Sequence, residues 1–183
     1  MRLLVDVFNP VFFQIDLKDV TLKIRDGATP TPNEIEIKIG EGNLTYSENR
    51  NIEYTLDRGL LDEVRKGDEV PMDVSFDFVW EFIKGSSASA GAPPTIEDAL
   101  KNTGQAAAWV STDPDTCRPY AVDIILEHVP SCGAGSDAEQ ETITLPDFRY
   151  ETLDHDLRAG TIAVTGRCNA EEATAVRVPQ PST

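Results

Sequence analysis

The sequence predicts a mainly β fold, an antiparallel sandwich or barrel with one short flanking helix. The longest signal lies in residues 70–82, where every even position is apolar and where Asp73, Asp77 and Glu81 occupy odd positions. Alternation with period two is typical of a strand that has one face in a core and the other in water. Shorter alternating segments recur along the chain between Gly, Pro and Asn turns. The length of 183 residues fits a single domain over 1–183.

Four alternating segments precede this strand, namely 20–25, 34–39, 43–47 and 52–56. The last two flank a short polar connector, which predicts a β-hairpin over residues 44–56 with Arg50 at its tip. Residues 60–69 are polar with a few apolar anchors. They predict a turn or a short helical piece that leads into the long strand.

One segment, residues 94–102, carries helix signals. Thr95 suits the N-cap, Glu97 and Asp98 lie in the first turn, and Lys101 lies in the last turn. Acidic residues at the start of a helix and a basic residue at its end complement the helix dipole. Gly104 is predicted to end the helix.

Further strands are predicted in the second half of the chain. Residues 84–94 are rich in Gly, Ser, Ala and Pro, which predicts a flexible loop within the domain. Residues 179–183 are expected to form a disordered tail. The later strands are predicted at 120–127, 141–145, 148–153 and 161–165.

The charge balance is strongly acidic, with 32 acids against 16 bases and a net charge of −16. This balance argues against binding nucleic acid through phosphate contacts, which needs clustered Lys and Arg. No apolar run approaches the length of a membrane span. The N-terminal segment lacks the unbroken apolar core of a signal peptide, so synthesis in the cytoplasm is the default expectation.

The three cysteines, Cys117, Cys132 and Cys168, leave three alternatives open. They are free thiols in a reducing compartment, or two of them form a disulfide, or they bind zinc together with His128 or His155. The predicted strand between the first two cysteines would place them at its opposite ends, which counts against a site that both share.

The motifs of catalysis are not found in the sequence. There is no Gly-rich phosphate loop, and no helix carries two spaced histidines. Pairs of carboxylates are expected by chance in so acidic a chain, so they do not indicate acid–base catalysis. The acidic residues at 113–115 and 154–156 fit turns better than calcium-binding loops. The sequence therefore predicts no enzyme, no cofactor and no metal site.

The order of the segments resembles the tail tube proteins of long-tailed, non-contractile bacteriophages. The resemblance covers about residues 17–169 and consists of strand and turn patterns. The segments that carry it are 17–27, 34–47, Arg58-Gly59, 64–69, 74–76, 145–148 and 160–166.

The resemblance implies a structural subunit of the virion tail, assembled in the bacterial host cytoplasm. Such subunits form homohexameric rings that stack into a hollow tube, and DNA crosses the lumen in transit without specific binding. The implied partners are other copies of the chain and further tail proteins, namely tape measure, tail terminator and tail tip. Members of the family have a β-sandwich or barrel core, an acidic inner wall, and a hairpin or long loops that bridge neighbouring rings.

Three groups of residues follow as candidates for these roles. Carboxylates on a lumen wall would repel DNA, whereas Lys and Arg would retain it by releasing counterions. The lumen candidates are Asp73, Asp77, Glu81, Asp123, Glu127, Glu34 and Glu36. The candidates for an inter-subunit hairpin are Leu44, Tyr46, Glu48, Arg50, Ile52 and Tyr54. The candidates for an inter-ring loop are Gly85, Ser86, Ser87, Gly91, Pro93 and Pro94.

Two alternatives stand beside this interpretation. One is a monomeric β-sandwich module that binds carbohydrate or protein, and the other is a related tail protein, a tail terminator or baseplate hub. A binding module would present exposed aromatics on a concave face. Phe76, Phe78, Trp80 and Phe82 instead fall on the apolar side of their strand, which predicts that they lie in the core.

Overall fold

The structure, a computed structural model, describes residues 20–37, 43–80, 93–129 and 139–179. Within these ranges the chain forms ten strands, the helix α1 (Ile96–Lys101) and a 3₁₀ turn (Gly104–Ala106). The strands are β1 (Val20–Arg25), β2 (Glu34–Ile37), β3 (Leu44–Ser47), β4 (Ile52–Asp57), β5 (Leu60–Lys66), β6 (Met72–Val79), β7 (Val122–His128), β8 (Glu139–Asp156), β9 (Thr161–Cys168) and β10 (Thr174–Pro179).

Eight strands form one antiparallel sheet in the order β2-β1-β7-β8-β9-β6-β3. The eighth, β10, pairs with the first part of β8, whose later part pairs with β9. Among the described strands, β2 and β3 each have one partner, so the sheet remains open at both edges. The mainly antiparallel β fold with one short helix is thus confirmed.

The long strand predicted around residues 70–82 is β6, and its even face is buried as expected. Met72, Val74, Phe76 and Phe78 are all nearly inaccessible to solvent. Trp80, however, is 41% exposed, so the prediction that it lies in the core is wrong. The reason is that β6 ends one residue earlier, and the indole instead meets the His155 ring edge-on at a centroid distance of 5.2 Å.

One hydrophobic core joins the inner face of the sheet to α1. The rings of Phe76 and Phe148 lie 5.9 Å apart at its centre. Gly166 on β9 is required there, because a β-carbon would lie 2.1 Å from the Arg149 carbonyl oxygen and 2.8 Å from the Phe148 ring. The core includes Leu22, Ile24, Met72, Val74, Phe76, Phe78, Leu100, Val122, Ile124, Leu145, Phe148, Ile162 and Val164.

The helix α1 begins at the predicted N-cap, Thr95, but it ends at Asn102, two residues before the predicted Gly104. The Asp98 backbone N–H donates to the Thr95 hydroxyl at 3.0 Å, and the Thr95 N–H donates to the Asp98 carboxylate at 3.4 Å. This reciprocal pair is a capping box. Asn102 ends the helix in the left-handed conformation, with φ of 52°. Ile96 and Leu100 turn inward and bury the helix against the sheet.

The predicted pairing within residues 44–56 is wrong. The segment Leu44–Ser47 pairs with β6, while Ile52–Asp57 pairs with Leu60–Lys66. The tip of the observed hairpin is therefore Arg58-Gly59, both with positive φ, and Arg50 lies at its base. The prediction of a turn or helical piece at 60–69 is also wrong, because most of that segment is β5.

The second half of the chain differs from expectation in two places. The strands predicted at 141–145 and 148–153 are parts of one 18-residue strand, β8. Asp147, with φ of 52°, lies where the pairing with β7 shifts register. The strand β10 was not predicted, and it includes Pro179, the first residue of the expected tail. Residues 180–183 lie outside the described part of the chain.

Much of the predicted flexible loop also falls outside the described ranges. Gly85, Ser86, Ser87 and Gly91 are among these residues, as are Glu81 and Phe82 from the preceding strand. Pro93 and Pro94 are described and lead directly into the N-cap of α1.

Candidate assembly site

The hairpin formed by β4 and β5 is exposed along its whole length. Its register places five apolar side chains on one face, with exposed fractions between 47% and 65%. We call this set the apolar face of the hairpin. It consists of Ile52, Tyr54, Leu56, Leu61 and Val64.

The opposite face of the same hairpin is polar. Arg65 Nε donates to Glu53 Oε2 at 2.8 Å, and Thr55 lies opposite Glu63. Among the described strands β4 and β5 pair only with each other. A two-stranded sheet is at best marginally stable in water, and exposed apolar patches usually mark interaction sites. An isolated two-stranded hairpin with an exposed apolar face is typical of an element that a binding partner covers.

The predicted inter-subunit residues divide between this hairpin and its surroundings. Ile52 and Tyr54 lie on the apolar face, whereas Leu44 and Tyr46 lie on β3 in the main sheet. Glu48 and Arg50 lie in the connector between β3 and β4. The sequence interpretation missed Leu56, Leu61 and Val64. The adjacent Leu60 and Leu61 in an otherwise polar segment were a sequence signal for an apolar contact surface there.

Carboxylates gather on the outer face of β6, β9 and β8, opposite the core. Asp73 accepts from Arg167 Nε at 2.9 Å, and Glu151 lies 3.7 Å from Arg167 Nη1. These contacts, the Asp73 hydrogen bond first, raise the pKa of Arg167. Asp77 and Asp154 flank Ala163 across the sheet. Neither carboxylate forms a hydrogen bond or ion pair with another described residue.

A row of hydroxyl groups separates the acids on this face. Ser75 lies opposite Thr165, and Thr165 lies opposite Thr152. The hydroxyls of Thr152 and Thr165 are 2.6 Å apart, within hydrogen-bond distance. This outer face therefore carries small hydroxyl groups and carboxylates, and its Arg167 is paired with the acidic neighbours Asp73 and Glu151.

The other described candidates, Glu34, Glu36, Asp123 and Glu127, lie on the other half of the sheet, and basic side chains pair with most of them. Lys23 Nζ donates to Glu127 at 2.7 Å and lies 3.9 Å from Glu34. The Glu127 hydrogen bond is the main cause that raises the pKa of Lys23. Arg25 approaches Asp123 at 3.3 Å. Glu36 is exposed on β2 nearby.

The described cysteines are free. Cys117 is exposed, and Cys168 is buried between β6 and β8, where burial raises the pKa of its thiol to about 12. Within the described residues no cluster of three His, Cys, Asp or Glu side chains could hold a metal ion. None of the helices in these ranges is long and apolar enough to cross a membrane. Cys132 lies outside the described residues.

Comparison with known proteins shows the fold. No protein-family model matches the chain, and no curated protein matches it in sequence. A chain in the structure of the PVC sheath/tube terminator, from an extracellular contractile injection system in its extended state, is similar with a TM-score of 0.50. The two are 10% identical, and the match covers 91% of this chain and 99% of that one. A chain of the anti-feeding prophage baseplate matches at 9% identity and a TM-score of 0.40, over 86% and 91% of the two chains.

Proposed function

We propose that this chain is a structural subunit of a phage-tail-like tube, which assembles into hexameric rings through the apolar face of its hairpin. The single observation that carries the proposal is that hairpin. Five exposed apolar side chains on an isolated two-stranded sheet are accounted for when a second copy of the chain covers them.

The open edges of the main sheet support the same partner. Among the described strands, the edge strands β2 and β3 are each paired on one side only, so their outer sides present free backbone donors and acceptors. Head-to-tail contacts between unlike surfaces generate closed rings when the rotation permits. A ring of this kind removes the edges and provides a neighbour for each hairpin.

The outer face of β6, β9 and β8 is the proposed lumen wall. No described base forms an ion pair with Asp77 or Asp154, while Glu127 and Asp123 on the β1 side are paired with Lys23 and Arg25. At physiological salt, repulsion reaches about 8 Å from such a wall, so it acts on DNA near the surface and spares the axis.

A tail terminator is the second candidate, and one observation favours it. The chain shares its fold with a chain of the sheath/tube terminator structure over almost the entire length of that chain. A terminator would form one ring that ends a tube, whereas a tube subunit would polymerise. The alternative of a monomeric module that binds carbohydrate or protein has no comparable observation in its favour. Within the described residues, the cleft beside Trp80 and Ile96 has a volume of about 180 Å³, below the usual ~300–1,000 Å³ of ligand pockets.

Assembly of the purified full chain tests the proposal. We expect light scattering to show a concentration-dependent shift from monomer to hexamer, and negative-stain images to show rings that stack into tubes. Images of single rings that never stack would favour the terminator. A compact monomer at every concentration, with and without tail-tip proteins as a template, would refute both.

The lumen assignment predicts the effect of Asp77→Lys combined with Asp154→Lys. Both side chains are on the outer face with no described partner, so the fold should persist while each ring gains a band of cations that binds phosphates. Cryo-EM of tubes mixed with a short DNA duplex should then show density in the lumen. Glu36→Lys on the other half of the sheet is the matched control and should leave the lumen empty. Duplex bound to the outside of the double-variant tubes would contradict the assignment.

A further inference from the structure

The base of the hairpin is held by a set of charged contacts that the assembly proposal does not use. Two connectors, residues 48–51 and 67–71, join β4 and β5 to the main sheet. Each is long enough to act as a hinge. The loop that joins β9 to β10 lies against these connectors, since the Met72 N–H donates to the Ala170 carbonyl at 2.9 Å.

Three side-chain contacts link that loop to the hairpin base. Lys66 Nζ lies 2.6 Å from Glu171 Oε2, and Arg50 forms an ion pair with Glu172. The Ala173 N–H donates to Glu48 Oε1 at 2.8 Å. We call the set Glu48, Arg50, Lys66, Glu171 and Glu172 the hairpin brace.

Glu171 is the most enclosed member of the brace. Its side chain is 17% exposed, and its Oε1 is buried without a hydrogen-bond donor among the described residues. The hydrogen bond from Lys66 is the main cause that lowers the pKa of Glu171, and the Val70 N–H adds to the effect. The same contact raises the pKa of Lys66. Both groups are therefore charged at neutral pH, and the charged form of each is stabilised by the other.

We infer that the hairpin brace fixes the angle at which the hairpin leaves the sheet, and so presents the apolar face to the neighbouring copy in one orientation. The claim that this orientation serves assembly rests on the proposed function. The claim that the brace fixes the hairpin angle does not, because it concerns the monomer alone. Without the brace, the hairpin would be attached through two polar connectors alone and would sample many directions.

The geometry also explains why ion pairs serve this purpose. Arg50 and Glu172 are both more than half exposed, and a single ion pair at such a position contributes little to global stability. Holding a hinge at one angle needs much less free energy than holding the fold, because the alternative states differ only in the direction of an exposed hairpin. Salt screens such contacts, so the hairpin should loosen as ionic strength rises.

Distances between spin labels in the monomer test the inference. Labels at Glu63 on the hairpin and Thr165 on the sheet, in a chain with Cys117 and Cys132 replaced by serine, report the hinge angle. We expect one narrow distance peak for this parent. Arg50→Glu should remove the narrow peak, and Arg50→Glu with Glu172→Arg should restore it by re-forming the pair with reversed charges. Arg65→Met, which breaks an ion pair inside the hairpin, is the matched control and should keep the peak.

Assembly of the same variants separates the two proposals. Arg50→Glu should raise the critical concentration for tube formation about two- to fivefold, and the charge-reversed pair should return it to the parent value. A narrow peak that persists in Arg50→Glu would overturn the brace and leave the proposed function standing. A lost peak with unchanged assembly would uphold the brace as a hinge lock and refute docking through an oriented hairpin.

Discussion

Replacing Leu56 and Leu61 with asparagine is expected to abolish ring and tube formation while leaving the monomer folded. Both leucines lie opposite each other on the apolar face and are more than half exposed in the monomer. Their loss should therefore change the free energy of unfolding of the monomer by less than about 0.5 kcal/mol. Since about 60% of each side chain remains to be covered, burial against a neighbour stabilises by about 1–2 kcal/mol per leucine. The double variant should thus weaken each contact by about thirtyfold or more.

The adjacent residue provides a matched control for this experiment. Leu60 is 75% exposed but lies on the polar face, opposite Asp57. Leu60→Asn makes the same chemical change one position away and on the other side of the hairpin, so assembly should continue at the parent concentration. Sedimentation velocity and negative-stain images measure the outcome. Equal loss of assembly in both variants would show that the hairpin is merely unfolded, and normal tubes from Leu56→Asn with Leu61→Asn would refute the interface.

Alternation alone was sufficient to predict the inner face of the sheet. In β6 every second residue from Met72 to Phe78 is buried, and Asp73 is correctly placed outside. The helix α1 was equally predictable, because Thr95 and Asp98 form a local capping box. These features depend on residues near one another in the chain, where period and capping determine the structure.

Strand pairing was not predictable in the same way, because the partner of a strand is chosen by distant residues. The segment Leu44–Ser47 alternates and is followed by a polar connector, yet it pairs with β6 about 30 residues later. The strand β5 escaped detection because a bulge opposite Thr55/Leu56 breaks its period, so that Leu61 and Val64, three residues apart, lie on the same face. Pro146-Asp147 suggested a break in β8, but a register shift accommodates it.

The candidate site shows the same division between local pattern and register. The sequence identified Asp73 and Asp77 as outward-facing acids on one strand. It gave no means to predict that β9 places Arg167 beside the first, or that Asp154 of β8 lies across Ala163 from the second. Which carboxylates have a basic partner is therefore a property of the assembled sheet, set by the register of strands that are distant in sequence.

The buried carboxylate of Asp26 is expected to contribute the largest polar effect on stability. Asp26 is 2% exposed and accepts four hydrogen bonds. The Asn33 backbone N–H and side-chain amide donate at 2.7 Å each, and the backbone N–H groups of Ala28 and Val110 donate at 3.2 Å each. These bonds fix the loop after β1 against the segment that precedes β7. Asp26→Ala should lower the free energy of unfolding by about 3 kcal/mol or more, because it leaves several buried donors without an acceptor.

The dependence of this effect on pH gives a sharper test. Burial raises the pKa of Asp26, but the hydrogen bonds from Asn33, Val110 and Ala28 together lower it below the ordinary value of 3.8. A carboxyl group with a depressed pKa in the folded state stabilises above its unfolded pKa and loses that contribution as pH falls through the folded pKa. The difference in unfolding free energy between the parent and Asp26→Asn should therefore be constant near neutral pH and should shrink below about pH 4.

Urea unfolding from pH 7 to pH 3 measures this difference directly. Asp68→Asn, at an exposed position before β6, is the matched control, and its difference from the parent should stay below about 0.5 kcal/mol at neutral pH. Taking the difference between parent and variant removes the titration of the many other acids, which both chains share. A parent-to-variant difference for Asp26→Asn that stays constant down to pH 3 would show that the Asp26 carboxylate does not owe its stabilising effect to its charge.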